Sequence, residues 1–256
     1  MSEPSVNPVR AFQDNYVWTL RTGSNAAVVD PGEAGPVLAY LREHKLNLTA
    51  ILNTHHHADH VGGNAELLEH YPVPVYGPYD DRIPTLSERV REGDKFTLPG
   101  FALELQVFEI PAHTRTHIAF YGGGMLFCGD TLFACGCGRL FEGTPANMHA
   151  ALTKLGGLPG STKVYCGHEY TLSNIKFARA VEAGNPALVQ WEQVAAALRA
   201  KDEVTLPSTL EQELAANPFM RCSEPEVAAA ASKHAGKALT DPVSVLAALR
   251  DWKNNF

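Results

Sequence analysis

Apolar positions in the first 170 residues fall in short runs rich in β-branched and aromatic side chains, separated by Gly and Pro turns. "NYVWTLRT", "AAVVD", "TAILNTH", "FALELQVFEI", "HIAFYG", "MLFCGD" and "KVYCGH" therefore predict strands. Between them, "GPVLAYLREHKL", "GGNAELLEHY" and "NMHAALTKLGG" repeat apolar residues at helical spacing. From Tyr170 onward the pattern is helical almost throughout: "SNIKFARAVEAG", "PALVQWEQVAAALRAKD", "STLEQELAA", "PEVAAAASKHAG" and "DPVSVLAALRDWKNN". The expectation is an α/β domain over residues 1–170 followed by a helical domain over 171–256. No internal repeat or low-complexity segment interrupts this pattern.

Composition narrows the class. A chain of 256 residues with 45% hydrophobic and only 19% charged residues can bury a large core and is not disordered in composition. The net charge of −7, without a long basic run, argues against nucleic acid as a general partner. No apolar run approaches the roughly 18 to 20 residues of a membrane span, and "MSEPSVNPVR" has neither the charged start nor the apolar stretch of a signal peptide. A cytoplasmic protein that engages neither membrane nor nucleic acid is expected. Five cysteines, an odd and sparse set, suit reduced thiols, and the close pair Cys135 and Cys137 is expected to pack rather than to bind metal.

Chemistry concentrates in one stretch. "THHHADH", residues 54–60, holds four histidines and one aspartate between a predicted strand and a predicted helix. Packed together such residues would repel as cations or need partners as neutral groups, so ordinary packing does not explain them. Imidazole and carboxylate suit Zn²⁺ and other borderline cations. Further candidates stand at other strand ends: His113 after "EIPA", Asp130 after "MLFCG" and His168 after "KVYCG". His55, His57, Asp59, His60, His113, Asp130 and His168 are too many for one catalytic zinc, which needs about three protein ligands, and suit two ions sharing a carboxylate. Spacing leaves open whether His113 or His117 of "AHTRTH" is the ligand. His44, His70, His149 and His234 are expected to be ordinary packing or surface residues.

The first motif fits T-H-x-H-x-D-H, the signature of the metallo-β-lactamase superfamily. "FQDNYVW", "PAHTRTHIAFY", "CGDTLFACGCGRLFEGT", "VYCGHEYTLSNIKFA", "LPSTL", "NPFMR" and "DPVSVLAALRDWKNNF" together resemble the hydroxyacylglutathione hydrolases, or glyoxalase II enzymes, from Phe12 to Phe256. The resemblance implies an αββα sandwich with an all-helical C-terminal domain. It also implies a division of ligands: His55, His57 and His113 for one metal, Asp59, His60 and His168 for a second, Asp130 bridging, and His117 a neighbour only.

The activity so implied is hydrolysis of S-(2-hydroxyacyl)glutathione, typically S-D-lactoylglutathione, to glutathione and a 2-hydroxy acid in methylglyoxal detoxification. Two cations about 3.5 to 4 Å apart lower the pKa of a shared water from 15.7 towards about 7, so a bridging hydroxide is the expected nucleophile, with Asp59 helping to orient it. Zn²⁺ is the first expectation, with Fe or Mn²⁺ as alternatives. A protein nucleophile is not expected, since G-x-S-x-G is absent and no cysteine sits in a Cys-His context. By the same resemblance Arg139, Phe141, Tyr170, Arg250 and Lys253 bind the glutathione moiety, and a monomer is expected. Arg139 stands where the family often has Lys, and Phe141 where it often has Tyr, which removes a hydroxyl contact. The rival is a persulfide dioxygenase of the same superfamily using a single iron, against which the C-terminal "LRDWKNNF" argues.

Overall fold

The computed structural model describes residues 4–256. By internal contacts the chain forms two compact units, residues 1–109 with 116–129, and residues 110–115 with 130–256. This division crosses the change of texture at residue 170, because the segment from Asp130 to His168 associates with the helices that follow it.

The first unit contains β1 (Ser5–Ala11), β2 (Asn15–Thr22), β3 (Asn25–Val29), α1 (Ala34–Glu43), β4 (Asn47–Leu52), α2 (Ala58–Val61), α3 (Asn64–His70), β5 (Val75–Gly77), β6 (Glu88–Arg89), β7 (Lys95–Thr97), β8 (Glu104–Glu109), β9 (Ile118–Gly122) and β10 (Met125–Gly129). One sheet runs in the order β1 to β6, antiparallel across β1, β2 and β3 and parallel from β3 to β6. A second ladder, β7 to β10, is antiparallel throughout. Tyr76 of the first sheet stacks on Phe96 of the second at 4.2 Å.

Val17, Val28, Val37, Leu41, Ile51 and Leu67 lie in one core cluster that joins the first sheet to α1 and α3. Burial on both faces explains why β3 and β4 read as nearly continuous apolar runs. Strand β1 escaped the sequence pattern because Pro8 interrupts it. The position tolerates proline because β1 is an edge strand.

The second unit contains β11 (Leu132–Phe133), β12 (Gly136–Cys137), α4 (Pro145–Gly156), β13 (Lys163–Cys166), α5 (Thr171–Val181), α6 (Pro186–Arg199), β14 (Ser208–Thr209), α7 (Leu210–Ala216), α8 (Pro225–Ala235) and α9 (Pro242–Asn254). Its helices start where the sequence supplies caps. Thr144 and Asn147 make a reciprocal capping box before α4, Asn185 caps α6, and Asp241 accepts the Ser244 N–H before α9. Each of these three helices has Pro in its first turn, where no N–H is needed. Helix α8 ends on Gly236 at φ 65°, a left-handed conformation that glycine adopts without a Cβ penalty. Phe177 stacks on Phe219 and meets Trp252 edge-on, tying α5 to the last helix. The two-residue β14, paired with β13, is too short to leave a periodic signal within a helical stretch. No described helix is long and apolar enough to cross a membrane.

Candidate metal centre

The half of the candidate site carried by the first unit starts at the end of β4. Asn53 and Thr54 follow the strand, His55 is fully buried, and α2 begins at Ala58, so Asp59 and His60 sit on one helical turn rather than in the loop that the sequence suggested. His55 Nε2 lies 3.1 Å from His57 Nδ1, and His60 Nε2 lies 3.4 Å from Asp59 Oδ2. The middle histidine, His56, turns away towards Asp80, 3.6 Å from its carboxylate.

Three residues that the sequence pattern did not single out hold this turn. Asp30, at the end of β3 with φ 53°, accepts the Thr54 N–H at 2.8 Å and the Thr54 hydroxyl at 2.7 Å, and lies 3.1 Å from His60 Nδ1. Asn15 donates to Asp59 Oδ2 at 3.0 Å and to the Asp59 carbonyl at 3.3 Å. Asn53 donates to the His60 carbonyl and is itself held by Asn64. The available signal was a charged residue closing an apolar strand, "AAVVD". His117 is buried and stacks on His55 at 4.6 Å with an interplanar angle of 16°, a packing neighbour of the cluster.

The second unit gathers the other three candidates from distant positions. His113 Nε2 and His168 Nε2 lie 3.5 Å and 3.3 Å from the same oxygen, Asp130 Oδ2, and all three residues are buried. His113 Nδ1 faces the Arg139 carbonyl at 2.9 Å. His168 stacks on Tyr170 at 4.8 Å, with planes 4° apart, and Phe133 meets both rings edge-on.

Of the residues expected to bind substrate, Arg139, Phe141 and Arg250 line one groove of about 430 Å³, together with Ala247, Asp251 and Asn254. Phe141 is 61% exposed and its ring edge meets His113. Arg250 is not the solvated helix-end cation that its position suggests. It is 5% exposed, donates to the Cys137 carbonyl at 2.8 Å and to Asn254 Oδ1, and lies over the Phe219 ring. Lys253 lies outside this groove, half-buried over Phe177, and donates to the Ser173 carbonyl. Burial, with Arg250 nearby, lowers its ammonium pKa to about 8. Tyr170 belongs to the His168 stack rather than to the groove. None of the five cysteines forms a disulfide, and each is buried.

The donor set fits metal. In His60 and in His113 the outer Nδ1 faces an oxygen acceptor while Nε2 faces a carboxylate, the arrangement in which a second-layer acceptor fixes the tautomer and leaves Nε2 to ligate. Asp130 presents one oxygen to two imidazoles, as a shared carboxylate would.

Residues 12–168 match the family model of the metallo-beta-lactamase superfamily, and residues 169–256 match the model described as hydroxyacylglutathione hydrolase C-terminus. A hydroxyacylglutathione hydrolase of Nitrosomonas europaea is 52% identical over 98% of this chain and 96% of its own length. The chain belongs to the hydroxyacylglutathione hydrolase family. Another hydroxyacylglutathione hydrolase, from Cupriavidus taiwanensis, is 54% identical, with 98% of each chain covered. Among solved structures, TTHA1623 in a di-iron-bound form has a TM-score of 0.54 and 32% identity over 64% of this chain and 91% of its own. ETHE1 from Myxococcus xanthus has a TM-score of 0.62 over 93% of each chain, and at 24% identity it shares the fold. The fold is thus the αββα metallo-β-lactamase sandwich, which in this hydrolase family carries a helical C-terminal part.

Proposed function

We propose that the protein hydrolyses the thioester of S-(2-hydroxyacyl)glutathione, with S-D-lactoylglutathione the typical substrate, releasing glutathione and a 2-hydroxy acid. The observation that carries this reading is the pair of half-sites, each presenting His Nε2 beside a carboxylate, in a chain whose relatives bear that enzyme's name over almost their full length. His55, His57 and His113 would hold one divalent ion, Asp59, His60 and His168 a second, and Asp130 would be shared, a division that rests on the family pattern. Zn²⁺ suits these nitrogen and oxygen donors, and Fe or Mn²⁺ is also accommodated. When bound, the ions supply an activated water and polarise the thioester carbonyl.

The chain's own residues do the rest. Asn15 fixes the Asp59 carboxylate in the position from which it would help to orient the attacking water. Asp30 and the Arg139 carbonyl hold His60 and His113 in the ligating tautomer. Arg139 in the groove, and Lys253 beside α5, offer positive charge for the two carboxylates of glutathione, Phe141 offers a ring edge, and Tyr170 buttresses His168. Glutathione thiolate is a good leaving group, so no strong general acid is required. On this reading residues 171–256 are the glutathione-binding part of a monomeric, cytoplasmic enzyme whose buried thiols stay reduced.

Hydrolysis of S-D-lactoylglutathione beside metal analysis of the same preparation tests the proposal. Turnover by protein carrying two metals supports it. Metal-loaded protein that leaves this thioester intact, or that consumes oxygen with glutathione persulfide, overturns it.

A further inference from the structure

The hairpin β11–β12 meets two of the proposed substrate groups, Arg250 through the Cys137 carbonyl and Tyr170 through the Phe133 ring, and its turn is held separately by side chains that touch no proposed substrate group. Its turn residues are Ala134 and Cys135, and Cys135 takes φ 57°, where glycine is the usual choice and a side chain costs conformational energy. Side chains from the helical part meet its main chain residue by residue. Asn174 of α5 donates to the Ala134 carbonyl at 2.9 Å, and Glu213 of α7 accepts the Cys135 N–H at 3.0 Å. Asn217 donates to the Gly136 carbonyl at 2.9 Å and to Glu213 Oε2 at 2.9 Å. Glu213 Oε1 accepts the Ser208 hydroxyl. Glu213 and Asn217 are fully buried and Asn174 nearly so.

The carboxylate suits its place because Oε2 accepts two N–H groups and Oε1 the Ser208 hydroxyl, whereas an amide keeps its oxygen on the two N–H groups only by turning its N–H₂ towards Ser208, whose hydroxyl must then accept instead of donate. Burial pushes its pKa up to about 7 in spite of the three donors, so its desolvation is a cost that the local structure must offset.

The hairpin joins two pieces of the half-site in this unit. Asp130 precedes it by two residues. After it, Gly138 donates to the Thr131 carbonyl at 3.1 Å, and so closely does the chain return that a Cβ at Gly138 would lie 1.9 Å from the Asp130 carbonyl oxygen. The next residue, Arg139, offers the carbonyl that faces His113 Nδ1. A shift of the hairpin therefore moves Asp130 and the acceptor that fixes the His113 tautomer together.

We infer that Glu213, with Asn174 and Asn217, is a positioning cluster for the Asp130–His113 half-site, acting through the main chain of residues 133–136. The inference deepens the hydrolase reading and rests on it for the role of Asp130 and His113. Its consequence is that α7, far from the proposed ligands in sequence, sets how firmly metal is held.

The test compares Glu213→Gln, Asn174→Ala and, as a control for stability alone, Val227→Ala in the buried face of α8. Each purified full-length protein is loaded with Zn²⁺, melted with and without the metal, and exposed to a chelator while metal release is followed. Glu213→Gln and Asn174→Ala should release zinc up to about ten-fold more readily than wild type, the lower end of the range for direct partners of metal ligands, because they act one step further out through the main chain. Val227→Ala should melt lower yet hold both zincs as wild type does. If Glu213→Gln does not fold, Asn174→Ala decides by the same criterion. The inference fails if the two variants melt lower but retain zinc like Val227→Ala. Metal release needs no substrate, so wild type that binds zinc without hydrolysing S-D-lactoylglutathione would sink the hydrolase reading and leave this outcome readable.

Discussion

Four of the seven proposed ligands come from six consecutive residues, 55 to 60, while the other three come from positions 113, 130 and 168, and the two groups are fixed by different means. The first is a turn between β4 and α2, braced from neighbouring strand ends by Asp30 and Asn15, side chain to side chain. The second is assembled by tertiary structure, its histidines meeting on one oxygen of Asp130 and its main chain gripped by residues 40 or more positions downstream. A local cluster needs few supports because chain connectivity already limits where its side chains can go. A dispersed one needs a framework, and the helical part supplies it.

The largest effect should come from the point on which the dispersed half converges. Asp130→Ala should cost both metals or their coupling, so elemental analysis should fall below two metals per chain, with thioester hydrolysis lost. Removing support from the local half should be milder. Asp30→Ala frees Thr54 and the outer nitrogen of His60, and metal affinity measured by competition with a chelator should weaken by about ten- to a hundred-fold. An Asp30→Ala protein that binds metal like wild type would show that the local cluster needs no bracing.

These two halves were not equally legible beforehand. "THHHADH" announces itself because four imidazoles and a carboxylate in seven residues have no packing rationale. Pattern alone could not choose between His113 and His117, since both lie in "AHTRTH". In the structure His113 faces Asp130, and His117 stacks on His55. Asp30 and Asn15 looked like ordinary strand-end polar residues. Glu213 sits in "STLEQELAA", where helical periodicity identifies the helix but not which of its glutamates is buried. Of the strands longer than three residues all but β1 followed from periodicity, and all the longer helices from periodicity and caps. The strands of two or three residues did not, because pairing partners rather than local pattern define them.

The residues proposed to bind glutathione sharpen the same contrast, because one of them is also framework. Arg250→Ala removes a buried donor from the Cys137 carbonyl, worth roughly 1 to 3 kcal/mol, so it should lower the melting temperature as well as kcat/KM. Lys253→Ala should act mainly through KM, by about ten-fold for a lost charge-assisted contact of roughly 1.5 kcal/mol, with metal content unchanged. A thioester without the glutathione carboxylates should be cleaved no worse by Lys253→Ala than by wild type. Equal losses on both substrates would place Lys253 in the framework instead.

A smaller effect concerns pH. A lysine whose pKa is lowered to about 8 gives up its charge as pH rises through 8, rather than near the ordinary lysine value. KM for S-D-lactoylglutathione should therefore climb above pH 8 in wild type, and Lys253→Met, already raised, should show no such climb. Smallest of all should be His56→Gln, because His56 points to Asp80 and away from the proposed ligands. Metal content and turnover should stay close to wild type.

The account depends most on the local and dispersed halves serving one binuclear centre. Titration of metal-free protein with Zn²⁺, with hydrolysis of S-D-lactoylglutathione recorded at each addition, tests this most directly. Activity should rise to its maximum only as the second equivalent per chain binds, and Asp130→Ala should not reach that second equivalent. Full activity at one equivalent, with no further zinc taken up, would contradict the account.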